Sequence, residues 1–101
     1  MISTDILELD NIIVQSQGNV VSNMDGEKVM MSIQNGKYYN LGEIGGRIWD
    51  MIEKPTSVNN LIVNLISEYN IEKSDCEQQV VSFLASLKKE GLINIQKGKK
   101  S

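Results

Sequence analysis

The run Gly36-Lys37-Tyr38-Tyr39-Asn40-Leu41-Gly42-Glu43-Ile44-Gly45-Gly46-Arg47-Ile48-Trp49 changes its period from two to 3.6 with no linker between. Lys37–Leu41 is aromatic and β-favouring. From Gly42 the apolar residues Ile44, Ile48, Met51 and Ile52 fall at i, i+4, i+7 and i+8 with Trp49 beside them, an amphipathic helical stripe. A strand that ends a sheet and turns straight into a helix leaves one row of N–H and C=O groups unpaired. Proteins blunt such an edge unless another chain is meant to pair with it.

What precedes the run builds the sheet. Val20–Met24 leads to Asp25-Gly26, the strongest hairpin dipeptide in the chain. Lys28–Gln34 follows, with Val29, Met31 and Ile33 on one face, and Asn35-Gly36 turns into Lys37–Leu41. Two tight turns in succession predict a three-stranded antiparallel meander with 37–41 at one margin. Ile12–Ser16 is β-branched and adds a strand on the far side or wraps the sheet. After the first helix, Pro55 is a stop, and Thr56 or Ser57 caps a second helix with an apolar face of Val58, Leu61, Ile62, Leu65, Ile66 and Tyr69. Ser74 and Glu77 read as a capping box for a third helix, whose Cys76, Val80, Phe83, Leu84 and Leu87 form the core stripe. Gly91 is a C-cap, and Leu92–Ile95 a short last strand. The expected class is α+β: a winged-helix-like, three-stranded antiparallel sheet followed by three helices, as an arm (1–10), a domain (11–96) and a disordered basic tail (97–101).

Composition excludes most chemistry. There is no histidine, which removes the commonest general base and metal ligand, and a lone Cys76 makes neither a disulfide nor a zinc site. Gly42-Glu43-Ile44-Gly45-Gly46 matches no phosphate-loop spacing. No enzyme, metal or cofactor is expected. The tail holds three of the ten cations, so residues 1–96 carry 7 Lys/Arg against 13 Asp/Glu, a net −6 that repels a phosphate backbone. No run reaches a membrane span and no secretory signal is visible, so a cytoplasmic protein without nucleic-acid or membrane partners is expected.

Two candidate sites follow. Lys37, Tyr38, Tyr39, Asn40 and Leu41 are either ordinary strand residues or an open edge. Leu41 should face the core, which puts Tyr39 on the helix side and Tyr38 and Asn40 on the other. Val81 and Ala85, beside Lys88 on a flank of the third helix, are either boundary residues or one wall of a groove whose other wall is the Tyr39 edge.

Asp25-Gly26-Glu27, Gly36 to Leu41, Gly45, Ile48-Trp49, Leu61 to Tyr69, and Val80, Leu84, Leu87, Gly91 and Leu92 together resemble the PqqD-like peptide-modification chaperones. The likeness is strongest to the stand-alone leader-binding proteins of lasso-peptide biosynthesis, and it covers residues 11–95. It implies a RiPP recognition element that binds a precursor's leader as an extra strand on 37–41, against Val80, Val81, Leu84 and Lys88 of the third helix. It also implies two partners beyond the leader: a separate leader protease of the transglutaminase-like cysteine class, and a macrolactam cyclase. The same resemblance admits a PQQ-type chaperone that serves a radical SAM enzyme. A winged-helix DNA binder is a different reading, and it wants a basic recognition helix; residues 75–87 hold no Lys or Arg. Relatives carry Asn after the leucine where this chain has Gly42, which implies a more weakly capped first helix.

Overall fold

The computed structural model describes residues 8–25 and 27–97. Gly26, most of the expected arm (1–7) and the end of the expected tail (98–101) lie outside the described residues. The chain order is β1 (Ile12–Gln15), β2 (Asn19–Met24), β3 (Glu27–Ser32), β4 (Lys37–Leu41), α1 (Gly42–Met51), β5 (Thr56–Ser57), α2 (Val58–Tyr69), α3 (Lys73–Lys89) and β6 (Ile93–Gln96). The expected meander is present as an antiparallel sheet ordered β2-β3-β4, and a second sheet is ordered β5-β1-β6. The α+β class with three helices therefore stands, with one sheet more than expected.

The segment around Ile12 neither extends the meander nor wraps it. β1 is the centre of the second sheet, pairing Ile13 with Thr56 on one side and with Ile95 on the other. Its place is fixed from outside the strand. The Gln15 amide donates to the Ile52 carbonyl at 3.0 Å, the Ser16 amide to Leu92 at 2.9 Å, and the Gln15 side chain to the Trp49 carbonyl at 2.7 Å. None of these partners is near it in sequence. The described end of the arm goes to the same half: the amides of Asn59 and Val58 donate to the carbonyls of Leu9 and Asn11.

Two turns differ in detail from the sequence reading. The β3–β4 connection is a four-residue loop, Ile33–Gly36, not a two-residue turn at Asn35-Gly36. The Gly36 amide returns to the Ser32 carbonyl at 2.7 Å, and the Asn35 amide donates to Ser32 Oγ at 3.1 Å. Ile33 thus falls in the loop and its side chain stands exposed, though its amide still donates to the Gly18 carbonyl at 3.2 Å. Met30, opposite Tyr39, and Ser32, opposite Lys37, are the buried residues of β3, while Val29 and Met31 lie on the outer face. α3 starts at Lys73 with Glu72 at its N-cap and no side-chain cap, so Ser74 and Glu77 form no capping box. Asn70 is in the left-handed region and Ile71 packs on the core, and the helix begins two residues earlier than a Ser74 cap would place it.

The helices otherwise follow their stripes. Ser57 Oγ accepts the Asn60 amide at 3.0 Å and caps α2. Val58, Leu61, Ile62 and Leu65 of α2 bury fully against Cys76, Val80 and Leu84 of α3 and Ile48 and Ile52 after β4, each such side chain contributing about 1.5–3 kcal/mol of transfer free energy. Arg47 spans α1 and α2, donating from Nε and Nη2 to Glu68 at 2.8 and 2.9 Å. That hydrogen bond lowers the Glu68 carboxyl and raises the guanidinium. Gly42 adopts φ +73° at the β4–α1 corner, where its amide donates to Asn40 Oδ1 at 3.0 Å. Left-handed geometry, tolerated by glycine and asparagine alike, explains the residue better than capping does. Among the described residues, no helix is long and apolar enough to cross a membrane.

At the end of α3, Gly91 has φ +76°; its amide donates to Lys88 and the next amide, of Leu92, to Leu87 at 2.9 Å, a Schellman closure. Gly91→Ala is expected to lower stability by about 1 kcal/mol, read as a lower urea midpoint at constant slope. Burial pushes the Cys76 thiol up, so it should resist Ellman's reagent at neutral pH in the native protein and react fully in denaturant. Rapid native labelling would contradict this packing.

Candidate peptide-binding edge

β4 bonds to β3 on one side only; its other edge has no strand partner among the described residues. Side chains alternate as expected. Leu41 is buried and Tyr39 half-buried on the helix side, whereas Tyr38 is 74% exposed and Asn40 exposed on the outer face. Asn40 Nδ2 donates to Glu27 Oε1 at 2.9 Å, and Tyr38 stands opposite Met31, itself opposite Val20. Lys37 opens the strand, exposed.

The chain leaves β4 into α1, and there a cleft of about 620 Å³ opens between α1 and α3. Its apolar walls are Ile44, Gly45, Ile48 and Phe83; Gln78, Gln79, Ser82 and Ser86 supply polar groups and no charge. Gly45 makes the cleft's shape possible, since a Cβ there would lie 2.8 Å from Phe83 Cε1. At the next residue, Gly46, a Cβ would lie 3.1 Å from the Lys28 stem, whose ammonium meets Asp50 at 3.1 Å. The two glycines thus let α1 approach both β3 and α3. β2 is also an edge strand, but it is β4 that runs straight into α1, one wall of the cleft.

The flank of α3 that borders this cleft is not the one read from sequence. At 100° per residue, Gln79, Ser82, Phe83, Ser86 and Glu90 lie within about 100° of each other, and Val81, Ala85 and Lys88 are centred about 140° away, across the buried stripe. The Tyr39 hydroxyl, which donates to Glu90 Oε1 at 3.0 Å, marks which flank faces β4. Val81, Ala85 and Lys88 are not among the residues that line the cleft. Val80 and Leu84 have no exposed surface and stand behind the cleft wall as core. Sequence reasoning put Phe83 wholly in the core stripe and passed over Ile44, Gln79, Ser86 and Glu90 as site residues. Phe83 at the margin of that stripe, on the side away from Lys88, was the one available signal.

A family model described as coenzyme PQQ synthesis protein D (PqqD) matches residues 27–93, more than half of the chain. No curated protein sequence matches. Among solved structures, TbiB1 in complex with the TbiA(beta) leader peptide is 25% identical with a TM-score of 0.72, covering 87% of this chain and 99% of that one. Lasso peptide synthetase B1 complexed with its leader peptide is 24% identical with a TM-score of 0.63, covering 81% and 96%. The PqqD truncation of Methylobacterium extorquens PqqCD, described as a stand-alone RiPP recognition element, is 11% identical with a TM-score of 0.75, covering 89% and 96%. The last two likenesses are of fold.

Gly→Ala inside a helix ordinarily stabilises by about 1 kcal/mol. At position 45 the sign should reverse, because the new methyl meets the Phe83 ring. In a Phe83→Ala background the same change should stabilise again. Urea denaturation of the four proteins checks this, and a stabilising Gly45→Ala in the wild-type background would contradict the contact.

Proposed function

The chain belongs to the PqqD family, and on that premise we propose that it is a non-catalytic module that captures the leader of a ribosomally made precursor peptide as a strand added to β4. The observation that carries this is the juxtaposition of an edge without a strand partner and an uncharged apolar cleft. Backbone pairing over five residues supplies only a few hydrogen bonds at roughly 1 kcal/mol net each. Side chains seated in a pocket must supply the rest of the affinity and the selectivity. A guest antiparallel to β4 enters with its N-terminal residues at the Leu41 end, over the cleft. Its C-terminal continuation leaves past Lys37 and the Ile33–Gly36 loop, toward solvent. The part of the precursor to be modified is thus held outside the module and accessible to an enzyme.

The TbiB1–leader complex, at 25% identity, favours a leader peptide as the guest, and the resemblance carried by the sequence points to a lasso-type one. In that setting the module presents the precursor to a separate leader protease, and the core then passes to a macrolactam cyclase. Tethering raises the effective concentration of the scissile bond at the protease. A second reading has the description of the matched family behind it: the guest is delivered instead to a radical SAM enzyme, as in coenzyme PQQ formation.

Fluorescence anisotropy tests the binding, with two probes: the TbiA(beta) leader and peptides selected from a random display library on the immobilised protein. Saturable binding is expected, with hydrogen-exchange protection gained at the Tyr38 and Asn40 amides, which face the open edge of β4. Phe83→Asp should weaken it by at least about tenfold, equivalent to ~1.4 kcal/mol, while Val81→Asp on the far flank leaves it within about twofold. Protection gained elsewhere, or equal losses in both variants, would reject the site.

A further inference from the structure

The two walls of the guest site belong to different halves of the molecule. β4 is the margin of one sheet; α3 runs through Gly91 into β6 of the other. At the α1 end these walls are spaced by Phe83 resting on Gly45. At the opposite end, Glu90 does the spacing alone, and it gathers three groups from β4 and its hairpin. The Tyr39 hydroxyl donates to Oε1 at 3.0 Å, and the Lys37 ammonium lies 3.8 Å from the same oxygen. Asn35 Nδ2 donates to the Glu90 backbone carbonyl at 3.0 Å, and also to the Tyr39 oxygen at 3.3 Å. That carbonyl stands at a helix end, where no amide one turn on is available to it.

We propose that Glu90 is a positioning residue for guest capture: without touching the guest, it holds the β4 edge at the separation from α3 that a strand needs to enter. This rests on the leader-binding reading above. Tyr39 alternates with the residues whose backbone forms the edge, so fixing its ring fixes the pleat of β4 itself. When the network is broken, the hairpin and β4 sample arrangements in which edge and cleft no longer match. Affinity then falls in proportion to the fraction of molecules still competent to bind. The hydrogen bond from the Tyr39 hydroxyl to an oxygen at this position is what sets that fraction.

The experiment uses a library-selected peptide as the anisotropy probe against the full chain and four variants. Glu90→Ala and Tyr39→Phe should each weaken binding by about fivefold. The double variant should be no more than about twofold worse than the weaker single, because both changes remove the Tyr39–Glu90 bond, Glu90→Ala losing in addition only the longer Lys37 contact. Glu90→Gln keeps an oxygen for the Tyr39 hydroxyl and should bind within about twofold of wild type. Ile62→Val, remote in the core, should lower the thermal midpoint at least as far as Tyr39→Phe and leave affinity unchanged, which separates positioning from general stability. Hydrogen exchange of the saturated Glu90→Ala complex should show the same protection at the Tyr38 and Asn40 amides as wild type. If wild type binds and Glu90→Ala binds equally well, or Ile62→Val loses as much affinity, the positioning role is overturned while leader binding stands. If no selected peptide binds wild type, the leader-binding reading fails and takes this one with it.

Discussion

Phe83 lies against α1 where Gly45 has no side chain, and this approach sets the spacing of everything around the β4 edge. An alanine at position 45 would push the ring away. Gly46 does the same for the approach of α1 to β3, through the Lys28 stem. Two glycines early in a helix each cost about 1 kcal/mol relative to alanine. That cost is offset by placing one helix against a strand and another helix at once, and a cleft is left between α1 and α3 where β4 ends.

The consequence for function is a division of labour. The edge of β4 offers main-chain groups that any extended peptide can use, so it contributes affinity with little selectivity. The cleft contributes selectivity, because its apolar walls and uncharged polar rim admit few side chains well. An acidic body suits this task, since it has no field that would draw nucleic acid into the site.

Much of the fold was legible because local chemistry and periodicity agreed. The meander follows from two glycine-bearing turns, and the three helices from apolar stripes whose buried residues are nearly those read from the sequence. Alternation in β4 put Leu41 and Tyr39 inward and Tyr38 and Asn40 outward, as the structure has them. The capping box was misread because Ser74-x-x-Glu77 satisfies the pattern of a helix start, while α2 ends at the left-handed Asn70 and Ile71 packs on the core, with α3 starting at Lys73. Likewise, β1 carried strand propensity without a partner, and its partners β5 and β6 lie more than forty residues away.

The sequence by itself determined that an edge strand would run into a helix, that a third helix would bury Cys76, Val80, Leu84 and Leu87, and that histidine chemistry was impossible. It could not determine which flank of that helix faces the edge. A buried stripe has two margins, and helical periodicity treats them alike: Val81, Ala85 and Lys88 on one, Gln79, Phe83 and Glu90 on the other. Only the tertiary structure chose between them, by bringing the Gly45 surface to Phe83 and the Tyr39 hydroxyl to Glu90.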